Sequence, residues 1–351
     1  MKHNKIISNI ILSIFILIIM LILLEIFLNL FPKFTFYYIY PSELFENAEA
    51  PLDFRMTPNF IGKMVGEYDI DIRTNSNGLR DYEHEQTSDN FRILALGDSF
   101  AFGQGVDIND TFLSIIEKQL DVEIIKAGVP AYGQDNQLHY FITKGKNYNP
   151  DMTIIFYFLN DNEDNYGLTD RKVAYGNLIQ KYRYEALPNW KLYTYTKLFR
   201  TKTLRLIRQT FSNIATYFDE NKKTKSFDYK VFLKSQTKES REWTKTAALF
   251  KEFKKNSGNS KLLIVYVPDK KQIYPEEFKD FFDINTDVDK PNKVLKTVAE
   301  FLNISYIDVT KEMRNLKISN LYFRHDPHFN ENGYKLFAIL VGNELIKYTE
   351  D

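Results

Sequence analysis

Ser99 closes the first half of "RILALGDSFAFGQGV" (Arg92 to Val106), where five residues suited to a buried strand run into Gly97-Asp98-Ser99 and then loosen into Gly103 and Gly105. A serine at such a turn either supplies a small polar group or is a nucleophile held at the carboxyl end of a sheet. A hydroxyl attacks an acyl carbon at neutral pH only when an adjacent base takes its proton. The chain has five histidines, His3, His84, His139, His325 and His328, so an imidazole base comes from a short set. His328 lies in a polar loop before the last predicted helix, with Asp326 two residues away. His325 is its rival, and a loop histidine facing solvent is the plainer reading of that residue. Cysteine is absent, which excludes disulfides, thiol catalysis and thiolate metal sites.

The elements that must position these residues follow a regular alternation. "RILAL" reads as a strand, Asp110 to Leu120 as a helix with Asp110 as its N-cap, "VEIIKAG" as a strand and "DNQLHYFITKG" as a helix. "MTIIFYFLN" (Met152 to Asn160) is a continuous apolar run, as in a central parallel strand. Later come a helix in "ESREWTKTAALFKEFKK", a strand in "KLLIVYVP", a helix in "KVLKTVAEFL", a strand in "ISYIDV" and a final helix from about Gly333. This order predicts an α/β fold, a three-layer α/β/α sandwich around a parallel sheet. Ligands in such sheets sit outside the carboxyl ends of the strands, and Ser99, Gly128 and Asn160 each fall just past a predicted strand end.

Two stretches depart from the alternation. Residues 32–90 read as a connecting subregion packed on the main domain, with turn signals in "TNSNGLRDYEHE". Residues from about 165 to 240 read as a helical insertion. Within it, "YTKLFRTKTLRLIRQTFSNIATYF" (Tyr195 to Phe218) interleaves Lys and Arg with apolar residues. It is either a lid or buttress docked on the core or a basic amphipathic helix lying on anionic lipid.

The N-terminus carries an address. Ile6 to Leu24 is nineteen residues without a charge, fifteen of them Leu, Ile or Phe. At about 1.5 Å per residue such a helix spans roughly the 30 Å hydrocarbon core. A cleaved signal peptide has a shorter apolar region and small residues at its cutting site, neither of which is present. The expectation is an uncleaved transmembrane signal-anchor over residues 6–31, preceding a main domain over 91–351. Lys2 and Lys5 precede the span, so the positive-inside rule keeps residues 1–5 in the cytoplasm and sends the rest outward. "FTFYYIY" (Phe34 to Tyr40) suits either an outer aromatic belt or an apolar segment packed on the domain.

Four stretches hold the chemistry: "GDSF" (Gly97 to Phe100), "KAGVPAYG" (Lys126 to Gly133), "FLNDNEDN" (Phe158 to Asn165) and "HDPHFNENGY" (His325 to Tyr334). In this order they resemble the blocks of the SGNH/GDSL hydrolase family, and from about Arg92 onward the chain is similar to its membrane-anchored bacterial members. "NSNGLRD" (Asn75 to Asp81) adds to that likeness. The resemblance implies a flavodoxin-like fold and a catalytic triad of Ser99, His328 and Asp326. It also implies an oxyanion hole from the Ser99 and Gly128 backbone N–H groups and the Asn160 side chain. Many family members place the acid three residues before the histidine, where this chain has His325, so Asp326 is the alternative at two-residue spacing.

Other motifs lead elsewhere or nowhere. "DNEDNYG" lacks the Gly and Glu of a calcium loop at the required positions and reads as a solvated acidic loop. Gly103-Gln104-Gly105 is no phosphate loop, since no Gly-Lys-Ser/Thr follows. "VPDKKQIYP" (Val267 to Pro275) ends a strand on the same rim without an assignable role. Lys plus Arg equals Asp plus Glu, at 46 each, so no net field points to nucleic acid. The expected function is an extracytoplasmic serine hydrolase cleaving acyl esters, O-acetyl groups on an envelope or exported polysaccharide being the favoured class. It needs no cofactor and no metal, and its partners are the ester substrate and, through the helix, the bilayer. An O-acyltransferase using the same triad, and a catalytically silent glycan-binding protein, are the alternatives.

Overall fold

The structure, a computed structural model, describes residues 2–30, 40–165 apart from positions 42, 50, 51, 66 and 87, then 171–199, 201–204, 206–207, 210 and 227–349. Helix α1 (Lys2–Leu30) has apolar side chains exposed around its circumference, among them Ile11, Phe15 and Leu23. It is long and apolar enough to cross a membrane. "FTFYYIY" lies outside the described residues except for Tyr40.

The main domain is built on a five-stranded parallel sheet: β5 (Arg92–Gly97), β6 (Glu123–Gly128), β7 (Met152–Tyr157), β10 (Lys261–Tyr266) and β11 (Ser305–Asp308). Their spatial order is β6-β5-β7-β10-β11. The chain first winds outward from β5 to β6, then crosses back to β7 and proceeds the other way. The order therefore reverses between β5 and β7, and the crevice at that switch point lies outside their carboxyl ends. Ser99 follows β5 and Asn160 follows β7, which puts both at its mouth.

Alternation within each strand splits the core into two layers. Ile93 and Ala95 of β5 and Met152, Ile154 and Phe156 of β7 face one side, where α3 (Phe112–Leu120) and the last helix, α8 (Glu331–Thr349), pack together. Leu94, Leu96, Ile155 and Tyr157 face the other, covered by α4 (Gln134–Thr143), α6 (Arg241–Asn256) and α7 (Lys290–Phe301). Phe112, Phe337, Trp243, Phe250 and Phe253 are fully buried in these layers. Each contributes about 1.5–3 kcal/mol of transfer free energy. The parallel sheet flanked by helices is the α/β/α sandwich expected.

Three local expectations are corrected. The N-cap of α3 is Thr111, whose hydroxyl accepts the Ser114 N–H; Asp110 is tied up in a preceding 3₁₀ turn, Ile108–Asp110. The insertion is not purely helical: β8 (Arg171–Ala174) and β9 (Asn177–Gln180) form an antiparallel hairpin ahead of helices Lys181–Ala186 and Asn189–Phe199. Half of Tyr195 to Phe218 lies outside the described residues. Third, "NDNEDN" is a buried helix, α5 (Asn160–Asn165), rather than a solvated loop. Asp161, Asn162 and Asn165 turn inward and hydrogen-bond Gln137, Thr246 and Gln134.

The connecting subregion forms two antiparallel hairpins, β1 (Phe45–Asn47) with β2 (Phe54–Met56) and β3 (Ile61–Val65) with β4 (Asp69–Arg73). Their apolar faces meet Phe102, Val129 and Tyr132 of the main domain in a shared core. The following segment is held by a buried charge network. His84 lies 2.7 Å from both Asp81 and Glu123, Lys126 pairs with Asp81 and Glu117, and Arg92 pairs with Glu123.

Candidate active site

β5 stops at Gly97 because the chain must turn sharply there. Asp98 caps the single-turn helix α2 (Ser99–Phe102), its carboxylate accepting the Phe100 N–H at 2.9 Å. Gly103 ends α2 in the left-handed region, at φ +80°, where a side chain is strained. Ser99 is thus fixed at the start of a turn, on the carboxyl rim of the sheet.

The Ser99 hydroxyl lies 2.7 Å from His328 Nε2. On the other side of the ring, His328 Nδ1 hydrogen-bonds Asp326 Oδ1, which also accepts the His328 backbone N–H at 2.9 Å. A carboxylate only accepts, so Nδ1 carries the ring proton and Nε2 presents its lone pair to the serine. Burial pushes the Asp326 carboxyl up, but the His328 charge and hydrogen bonds, with a bond from Tyr68, more than offset it and hold it below its ordinary value. Asp326 therefore stays ionised and holds the imidazole in this tautomer. The Phe100 ring packs against the imidazole with centroids 4.7 Å apart.

The loop carrying Asp326 and His328 is anchored at both ends. Tyr322 bridges to Phe329, Phe323 N–H donates to His328 O, and Asn330 N–H donates to Leu321 O. "VPDKKQIYP" braces it from behind: Tyr322 OH donates to Pro268 O at 2.8 Å and Lys270 Nζ to Phe323 O at 2.8 Å. Glu67, between β3 and β4, accepts the backbone N–H groups of Arg324 and His325. His325 is exposed, and it is His328 that bonds Ser99.

Gly128 ends β6, paired with Gly97 across the ladder. A Cβ there would lie 2.3 Å from Phe102 N and 2.4 Å from Ala101 C, so only glycine lets α2 approach. Asn160 opens α5, and its side-chain amide donates to Asp164 Oδ2 at 3.3 Å.

Three carboxyls cluster behind this rim. Asp98 is raised by complete burial, against the Phe100 N–H, the His328 charge and the nearby Asn160 and Ser99 side chains. Asp161 is raised well above the ordinary range by burial and by Asp98 and Asp164. Asp164 is pushed up to about 8 by burial, with Asp98, Glu163 and Asp135 reinforcing the shift and Arg171 opposing it. Burial raises all three, repulsion adds to it at Asp161 and Asp164, and Asp164, at about 8, is mostly protonated at neutral pH.

Sequence reading passed over three residues at the site. Gln104, fully buried, places Nε2 3.1 Å from His328 Nδ1 and 3.5 Å from Asp326 Oδ2. Tyr68 OH donates to Asp326 Oδ2 at 3.2 Å, and Tyr40 OH to Gln104 Oε1 at 2.5 Å. Gln104 was visible only as the centre of a Gly-Gln-Gly triplet, and no local signal marks the tyrosines.

Residues 227–349 match the family model described as "SGNH hydrolase-like domain, acetyltransferase AlgX". The matched segment contains Asp326 and His328 and not Ser99. No curated protein sequence matches the chain. Among solved structures, a lipase/acylhydrolase from Enterococcus faecalis aligns at 13% identity and TM-score 0.42, over 73% of this chain and 96% of that one. A psychrotrophic esterase from Pseudoalteromonas sp. aligns at 12% and TM-score 0.40, over 75% and 100%. A lipolytic protein of the G-D-S-L family from Veillonella parvula aligns at 16% and 0.38, over 73% and 98%. The parallel sheet, the buried Ser99–His328–Asp326 chain and the matched domain together support an SGNH-type esterase or hydrolase activity.

Proposed function

We propose that this chain is a membrane-anchored, extracytoplasmic serine esterase acting on acyl esters, with O-acetyl groups on an envelope or exported polysaccharide as its substrate class. The observation that carries the proposal is the continuous hydrogen-bonded path from Ser99 Oγ through His328 to Asp326. In this mechanism Ser99 Oγ attacks the acyl carbonyl as its proton passes to His328 Nε2. The resulting oxyanion takes hydrogen bonds from the Ser99 and Gly128 backbone N–H groups and one N–H of Asn160, each such donor worth about 10²–10³ in rate. His328 then protonates the departing alcohol, leaving an acyl-serine. Water, deprotonated by His328, attacks that ester and releases the acid and Ser99.

The domain division that fits this reading is a cytoplasmic tail (1–5), an anchor (6–31), an extracytoplasmic connecting region (32–90) and a catalytic domain (91–351) with its insertion at about 165–240. Lys2 and Lys5 support that orientation, and the fifteen Leu, Ile and Phe side chains between Ile6 and Leu24 favour burial in lipid over exposure to water.

O-acyl transfer is the second reading, favoured by the matched model's description as an acetyltransferase domain. The two differ only in the second half-reaction, where a sugar hydroxyl replaces water. The test presents the full chain in detergent with a chromogenic acetyl ester, with and without an oligosaccharide acceptor. Acetate release unaffected by acceptor supports the esterase. Acetylated oligosaccharide formed at the expense of acetate supports the transferase, and neither product from folded protein refutes both.

A further inference from the structure

The hairpin β3–β4 and the residue Tyr40 belong to neither the sheet nor the four catalytic blocks, yet both reach the triad. Asp326 has two carboxylate oxygens. Oδ1 is filled by His328, through its ring Nδ1 and its backbone N–H. Oδ2 faces away from the histidine and takes its hydrogen bonds from outside the loop: Tyr68 OH at 3.2 Å and Gln104 Nε2 at 3.5 Å. These two bonds set the rotation of the carboxylate, and with it the direction in which Oδ1 meets the imidazole.

Gln104 has its own orientation problem, because its amide could face the triad with either end. The ionised Asp326, which only accepts, selects the donor end Nε2, and Tyr40 OH, donating to Oε1, holds the amide in that orientation. The reverse orientation would set an amide oxygen against an ionised acid. Nδ1 of His328, already spending its proton on Asp326, has no acceptor to offer Gln104, so the useful partner of Nε2 is Asp326.

Packing holds the arrangement in place. The Tyr68 ring lies against Phe323 with centroids 4.8 Å apart, directly before the catalytic loop. Gly105, at φ +91°, lets Phe323 and Tyr68 close over the turn after Ser99; a Cβ there would lie 2.3 Å from the Phe323 ring. Beside Tyr68, Glu67 grips the backbone of Arg324 and His325. The hairpin thus holds the Asp326 loop from its backbone side through Glu67 and from its carboxylate side through Tyr68.

We propose that Tyr68 and Gln104 are positioning residues of the triad, that Tyr40 holds Gln104 in place, and that the hairpin β3–β4 and Tyr40 complete the catalytic site. This rests on the serine-esterase reading above.

The experiment uses the full chain in detergent micelles, with p-nitrophenyl acetate turnover and the rate of fluorophosphonate labelling as readouts. The variants are Tyr68→Phe, Tyr40→Phe, Gln104→Met and the Tyr40→Phe/Gln104→Met pair, with Ser99→Ala as reference. Loss of one hydrogen bond to an ionised group predicts about a tenfold fall in kcat for Tyr68→Phe, with KM within about twofold of wild type. Tyr40→Phe falls less, and the pair loses no more than Gln104→Met alone, because Tyr40 acts only through Gln104. The downfield NMR signal of the proton between His328 and Asp326 shifts in Tyr68→Phe, which a packing role alone would not produce. Wild-type kcat in folded Tyr68→Phe and Tyr40→Phe, or additive losses in the pair, would overturn the proposal. Should Gln104→Met fail to fold, the two phenylalanine variants, each lacking a single oxygen, decide it. Full activity in Ser99→Ala would remove the esterase reading itself. Dead Ser99→Ala beside unaffected tyrosine variants would remove only this inference.

Discussion

Asp164→Asn should stabilise the protein, and by an amount that grows with pH. Asp164 is buried in α5 with its carboxyl pushed up to about 8, against an ordinary 3.8. Between those values the folded chain holds a proton that the unfolded chain releases. Below about pH 4 the carboxyl is protonated in both states and leaves stability unchanged; as pH rises toward 8 the unfolded chain ionises while the folded one does not, and folding is increasingly disfavoured. The slope is about 1.4 kcal/mol per pH unit, so at pH 7 the wild-type protein carries a penalty of about 4 kcal/mol. Asparagine has nearly the same shape, keeps an oxygen to accept the Asn160 N–H, and needs no proton. The assay is urea unfolding of the full chain in detergent at pH 4 to 8, followed by fluorescence of Trp243, which is fully buried in α6 one turn before Thr246, the partner of Asn162 in α5. The variant should match wild type near pH 4 and lead it by roughly 4 kcal/mol at pH 7. A difference that stays constant with pH would refute the reasoning, since it would mean Asp164 ionises alike in both states.

Three further outcomes follow from the same geometry. Asp326→Asn should lower kcat by about 10³–10⁴-fold while leaving the fold intact, because an amide facing His328 Nδ1 favours the wrong tautomer; steady-state kinetics with a melting curve checks this. Gly128→Ala should cut turnover by at least about 10²-fold, since its Cβ would meet the backbone of Ala101 and Phe102 and displace Ser99; the chromogenic ester assay reads it. His84 is opposed by burial, but Asp81 and Glu123 raise its pKa overall, so its protonated form stabilises the fold below about pH 6.5 and that contribution fades as pH rises through the raised value. His84→Gln should therefore cost about 1–3 kcal/mol at pH 6 and less at pH 9, measured by urea unfolding.

What the sequence made legible was what periodicity and burial write directly. Strands β5, β7 and β10 are nearly continuous apolar runs because helices cover both faces, and their ends mark the rim where Ser99 and Asn160 lie. The hairpins of residues 45–73 escaped notice because strands of three to five residues carry too little alternation to register. The acidic "NDNEDN" looked solvated because composition says nothing of protonation; a carboxyl that burial keeps neutral is as acceptable inside as an amide. Asp110 looked like a cap on residue type alone, whereas the extended backbone a cap requires falls at Thr111. Tyr68 and Asp326 are separated by 258 positions, and nothing local to either announces a hydrogen bond that only the folded chain creates.

The central claim is that Ser99 is a nucleophile activated by His328. The most direct measurement treats the full chain in detergent with a fluorophosphonate and maps the adduct by mass spectrometry, beside Ser99→Ala and His328→Ala. A single stoichiometric adduct on Ser99, absent from Ser99→Ala and strongly slowed in His328→Ala, is the predicted result. Folded wild-type protein that takes up no label, or takes it up on another residue, would contradict the account.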